Sequence, residues 1–216
     1  GSTEAYVTPG SLTPAISGGL KWKLLSQLLR EGTRLAMGIL LARLLTPEEW
    51  GVAGMALVVS ALVQLIPELA LGYALVQRAT ITERDRSTVF WLSLGLGVTV
   101  TVLGIALSST IADFFGEPQV KELFWALSVG FTITSLATVP AALLTRDLAY
   151  RSLELPQIAG TLTGAVVAVA LAVAGAGAWA IIGNALASVV AATVLLWIIT
   201  PWRPRLVFSR RSARSL

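Results

Sequence analysis

Between residues 157 and 199 the chain carries not one Asp, Glu, Lys or Arg. A bilayer core about 30 Å thick needs about 20 apolar helical residues to cross it. The run is long enough for two crossings, with Gly175, Ala176 and Gly177 as the turn between them. Four further segments are long and apolar enough to qualify, so the expected spans are 22–45, 50–71, 89–111, 123–144, 157–174 and 178–199. Hydrocarbon offers a backbone no hydrogen-bond partner, which makes each span a helix. The expected fold class is an all-α integral membrane protein, a bundle of six transmembrane helices.

Composition agrees. Hydrophobic residues make up 55% of the 216 and charged residues 13%, against about a quarter charged in soluble domains. The domain plan that follows is a flexible polar lead-in at 1–17, a transmembrane lobe at 18–200 and a basic tail at 201–216. The chain opens on Gly1 and Ser2 and lacks the pattern of a signal peptide. That opening reads as a tag scar or an internal start, so the chain is expected to be a fragment.

With no Cys and no His, disulfides, thiolate chemistry, histidine metal sites and histidine proton relays are excluded. Neither a metal nor a cofactor is expected. The net charge is +4, but the Arg residues punctuate apolar runs and form no basic stripe. They read as topology signals, and no nucleic-acid partner is expected. Lys21, Lys23, Arg78, Arg84, Arg86, Arg146, Arg151, Arg203, Arg205, Arg210, Arg211 and Arg214 fall on one side of the spans. Only Arg43 and Lys121 fall on the other. The richer side is cytoplasmic by the positive-inside rule, which places both termini inside.

Local signals mark the span ends. Thr46, Pro47 and Glu49 have the spacing of an N-cap, a first-turn proline and a capping box at the head of span two. Gly116, Glu117 and Pro118 break the chain between spans three and four. All seven Trp lie within a few residues of a span end, the headgroup level that an amphipathic ring prefers. Gly160 and Gly164 read as close helix packing, and Gly95, Gly97 and Gly104 as close packing or flexure. Pro67 and Pro140 either kink or end their helices. Gln64 and Asn184 either line a cavity or bridge helices.

The first span carries the anomaly. At about 100° per residue, Ser26, Gln27, Arg30, Glu31, Thr33 and Arg34 fall in an arc of roughly 160°, opposite a face of leucines. Arg34 lies near mid-span and Arg30 one turn toward the cytoplasm. An Arg at that depth costs about 2.5–3.5 kcal/mol even on the lenient insertion scale. Three readings account for it. The guanidiniums bind a phosphate or pyrophosphate in a central cavity, which their donor forks suit. Alternatively Glu31 and Glu68, the latter about two turns cytoplasmic of its own span's midpoint, neutralise them internally. In the third, span one begins later and lies partly in the interface. Candidate cavity residues are Ser26, Gln27, Arg30, Glu31, Arg34 and Glu68, and no residue reads as catalytic.

Three stretches carry a family resemblance: Arg43-Leu-Leu-Thr-Pro-Glu-Glu-Trp-Gly51, Glu68-Leu-Ala-Leu-Gly-Tyr-Ala-Leu-Val-Gln-Arg78 with Thr82-Glu-Arg-Asp-Arg86, and Leu144-Thr-Arg-Asp-Leu-Ala-Tyr-Arg151. They resemble the polysaccharide-transporter, or oligosaccharide-flippase, branch of the multidrug/oligosaccharidyl-lipid/polysaccharide exporter superfamily. The similarity runs from about residue 18 to the end. The resemblance implies two six-helix lobes about a central cavity, of which this chain looks like the N-terminal one. Its tail then begins the linker to a missing C-terminal lobe, supplied by the same chain or in trans. The implied activity is transfer of an undecaprenyl-pyrophosphate-linked oligosaccharide (an O-antigen, capsule or exopolysaccharide unit) across the bacterial inner membrane by alternating access. The implied partners are that lipid-linked oligosaccharide, the second lobe and the surrounding lipids. Basic residues on the first span of related lipid II flippases line the cavity, and Arg30 and Arg34 are similarly placed. Alternatives are a lipid II or multidrug exporter of the same superfamily, or a membrane-embedded lipid-phosphate enzyme. Against the enzyme, there is no His, and the close acidic pair Glu83 and Asp85 is interleaved with Arg84 and Arg86.

Overall fold

A computed structural model describes the backbone of residues 13–71, 83–147 and 149–204. Side chains are described for 22–64 except 23, for 86–147, and for 149–204 except 150. The lead-in at 1–12, the loop of Arg78, the tail at 205–216 and the side chain of Glu68 lie outside the described residues.

The described residues form six helices: α1 (Thr13–Leu44), α2 (Pro47–Leu71), α3 (Glu83–Phe115), α4 (Gln119–Arg146), α5 (Tyr150–Val173) and α6 (Trp179–Ile199). Their order and number match the six expected segments. Helices α3 to α6 are each long and apolar enough to cross a membrane. Over their described residues α1 and α2 do not meet the same measure, and α1 carries Arg30, Glu31, Arg34 and Arg43 within its length.

The turns follow from local chemistry. Thr46 N–H donates to Glu49 Oε2 at 2.7 Å, and Glu49 N–H donates to Thr46 Oγ1 at 3.3 Å. Two orphan donors at the head of α2 are thus satisfied reciprocally. The α3–α4 turn passes through Gly116 at φ +71°, and the α5–α6 turn through Gly175 at +76° and Gly177 at +57°. A side chain would strain these left-handed positions.

Packing is close along two seams. On α3 and α4, a Cβ added at Gly97 would meet Ser135 Oγ at 2.5 Å, and Thr101 Oγ1 donates across to the Ser128 carbonyl at 2.7 Å. On α5 and α6, a Cβ at Gly160 would sit 2.5 Å from the Ser188 carbonyl oxygen, and one at Gly164 would sit 2.6 Å from that of Asn184. Small residues let the backbones approach, as expected for Gly97, Gly104, Gly160 and Gly164. Gly95 faces open space instead.

Helix α4 is central and packs on α2, α3, α5 and α6, whereas α1 leaves α2 at the Leu45–Thr46 corner and packs along α5. One core at the corner end draws on every helix, from Met37 and Leu41 through Ala53, Leu123 and Phe124 to Ala168 and Ile182. At the opposite end a second cluster joins Val89, Phe90, Val139, Leu143 and Trp202. There Phe90 meets Trp91, Trp197 and Trp202 edge to face at 5.4, 5.8 and 5.9 Å between ring centroids. Trp202 is therefore an internal packing anchor, buried against two aromatic neighbours, Phe90 and Trp197. Pro140 does not end its helix: it is buried within α4, which runs on to Arg146.

Candidate functional site

The polar arc of α1 divides along its length. Ser26, Arg30, Thr33, Met37 and Leu41 recur at helical spacing and form the stripe that faces α5. Ser26 is buried, and its Oγ donates to Glu154 Oε2 at 2.9 Å. Arg30 Nη1 donates to the same carboxylate oxygen as an ion pair, its side chain 19% exposed and that of Glu154 8%. Three residues earlier on α5, the Arg151 guanidinium lies 5.6 Å from the centroid of the Trp22 ring. The first turns of α5 thus bind α1 through a cation–π contact and a shared carboxylate.

The other flank of the arc is open. Gln27, Glu31 and Arg34 are exposed. Arg34 Nη1 meets Glu31 Oε1 at 3.0 Å, with 67% and 52% of the two side chains exposed. Thr33 Oγ1 donates within the helix, to the Leu29 carbonyl at 2.8 Å. Beyond this strip the surface turns apolar, with Leu28, Leu35 and Ile39 exposed.

The structure therefore brings Ser26 and Arg30 together on α5 and Gln27, Glu31 and Arg34 together on the surface. Of the carboxylates expected to offset the guanidiniums, Glu31 engages Arg34, and the side chain of Glu68 is outside the described residues. Arg30 engages Glu154, which the sequence reading did not include. That reading begins the fifth span at 157, just past Pro156. The helix instead starts at Tyr150 and carries Pro156 inside it, at the loss of one backbone hydrogen bond. The available signal was a lone acidic residue between Arg151 and Pro156, on a stretch compatible with helix. Among the weaker candidates, Gln64 is exposed. Asn184 lies at the α5–α6 seam and accepts from Ser188 Oγ at 3.3 Å, which makes it a packing residue.

The arrangement offers an ion pair enclosed between two helices and, one turn away, an open strip with a guanidinium suited to a phosphate or carboxylate oxygen. No group of three or more Asp, Glu, His or Cys placed to hold a metal occurs among the described residues.

Comparison with known proteins places the chain. The family model described as polysaccharide biosynthesis protein matches residues 40–216. The chain is 28% identical over 154 residues to the lipopolysaccharide biosynthesis protein WzxC of Escherichia coli K12, an alignment covering 71% of this chain and 31% of that one. It is 26% identical over 210 residues to the succinoglycan biosynthesis transport protein ExoT of Rhizobium meliloti, covering 97% and 42%. The teichuronic acid biosynthesis protein TuaB of Bacillus subtilis is 28% identical over 144 residues, covering 67% and 30%. The alignments thus span 30–42% of these relatives' lengths. No solved structure matches it. With most of its length matched and its loop motifs pointing the same way, the chain belongs to the polysaccharide biosynthesis protein family.

Proposed function

We propose that this chain is the N-terminal six-span lobe of a flippase that carries an undecaprenyl-pyrophosphate-linked oligosaccharide across the bacterial inner membrane. In this reading both termini are cytoplasmic, and a second lobe closes the cavity. Transport, not chemistry, is the activity, in keeping with relatives named for polysaccharide biosynthesis and transport.

The observation that carries the proposal is the open flank of α1. Helix α1 packs along α5 and leaves Gln27, Glu31 and Arg34 exposed, residues that the sequence reading sets near the middle of the span expected at 22–45. A guanidinium facing hydrocarbon at that depth costs about 2.5–3.5 kcal/mol. A polar cavity shared with a second lobe removes that cost and gives the strip a ligand. Alternating access needs two bodies around one site, and this lobe supplies one wall. The substrate's pyrophosphate meets Arg34, with Gln27 and Glu31 beside it, while Ser26, Arg30 and Glu68 belong to the cavity's border.

The test uses the complete transporter containing this sequence, reconstituted in vesicles with a fluorescent undecaprenyl-pyrophosphate sugar. Arg34→Ala should lower the flipping rate by about tenfold or more, the loss of one charge-assisted hydrogen bond, with insertion into the vesicles unchanged. An unchanged rate would remove the strip from the mechanism.

A further inference from the structure

Arg30 and Arg34 stand one helical turn apart, close enough for like charges to repel. Left alone, they would present a double cation to whatever lies beside α1. The structure gives each its own carboxylate and sends the two in different directions: Arg34 to Glu31 on the surface, Arg30 to Glu154 between α1 and α5. Glu154 is 6% exposed, and the one oxygen takes both Ser26 and Arg30. A carboxylate in so enclosed a place is stable only when paired, and removing one partner leaves the other charge buried and uncompensated.

We propose that Glu154 is a positioning residue that sets the charge of the α1 strip. By holding Arg30 against α5 it withdraws one of two neighbouring guanidiniums, so that an anionic headgroup meets Arg34 alone. The purpose is release. Two guanidiniums would grip a pyrophosphate bidentately, and a carrier that binds too tightly does not let go. This inference rests on the reading of the strip as substrate-facing.

The probe is undecaprenyl pyrophosphate, titrated into the protein in detergent and followed by tryptophan fluorescence. Relative to the native cluster, Glu154→Gln adds one positive charge near the strip, Arg30→Gln adds one negative charge, and the double variant adds none. At an effective dielectric of about 20, a unit charge about 10 Å away alters affinity by about tenfold or more. Glu154→Gln should therefore tighten binding by that factor and Arg30→Gln weaken it. The double variant should return to within about twofold of the native value, and Glu154→Asp should retain that value. A purely structural clamp would move both single variants in the same direction, and that result, or no shift in either, overturns the proposal. If Glu154→Gln does not fold, the contrast between Arg30→Gln and the double variant decides alone.

Thermal unfolding of the same preparations keeps the two readings apart. Each single variant should lower the midpoint and the double should recover part of the loss, whether or not the probe binds. No binding by the native protein would sink the substrate reading while leaving the clamp to this second arm, where additive losses would overturn it.

Discussion

Single residues show how much a neighbour decides. Gly160 and Gly95 are both helical glycines, yet a Cβ at 160 meets the Ser188 carbonyl at 2.5 Å and one at 95 meets nothing within 4 Å. Gly160→Ala should destabilise the protein by about 1–3 kcal/mol through overpacking. Gly95→Ala should leave it unchanged or stabilise it by about 0.4–1 kcal/mol, because alanine restricts the unfolded chain. Midpoints of thermal unfolding in detergent distinguish the two. The cap of α2 follows the same logic. Thr46→Ala removes the acceptor for Glu49 N–H and should cost about 0.5–2 kcal/mol, read as faster local hydrogen exchange at the head of α2. This cap was legible in the sequence because its partners lie three residues apart. The Arg30–Glu154 pair was not, since its partners lie 124 residues apart and only the α1–α5 packing brings them together.

At the scale of elements, helix existence and most ends followed from hydropathy, glycine turns and the capping box. Two features were not part of that reading. The fifth helix begins at Tyr150, ahead of the span expected at 157–174, because a proline can sit inside a helix when packing outweighs one lost hydrogen bond. Trp202 is buried within the bundle because Phe90 and Trp197 face the space it fills. Arg203 holds the turn there, donating to the Thr200 and Trp202 carbonyls at 2.6 and 2.8 Å and lying 5.6 Å from the Trp197 centroid. Trp202→Ala should thus cost about 3–5 kcal/mol by emptying the cluster. The same variant should shift Trp fluorescence at that end of the bundle. A midpoint within a degree of the native one would show that the cluster carries little of the stability.

For the whole molecule, the charge asymmetry of the loops carries the proposed orientation of the bundle, with both termini cytoplasmic. The native chain has no cysteine, so Glu117→Cys and Asp147→Cys report on the two ends of α4 without interference. Glu117 precedes α4 and Asp147 follows it. In intact cells an impermeant maleimide should label position 117 and spare 147, and the reverse pattern would invert the orientation. The proposed transport needs more than orientation: in that reading the exposed flank of α1 meets the substrate. A photo-reactive amino acid at Gln27, on the polar strip, or at Leu35, on the leucine face, tests this contact in the complete transporter. Supplied with a radiolabelled undecaprenyl-pyrophosphate sugar and illuminated, the protein should become labelled at position 27 and not at 35. Equal labelling at both positions, or labelling at 35 alone, would contradict the account.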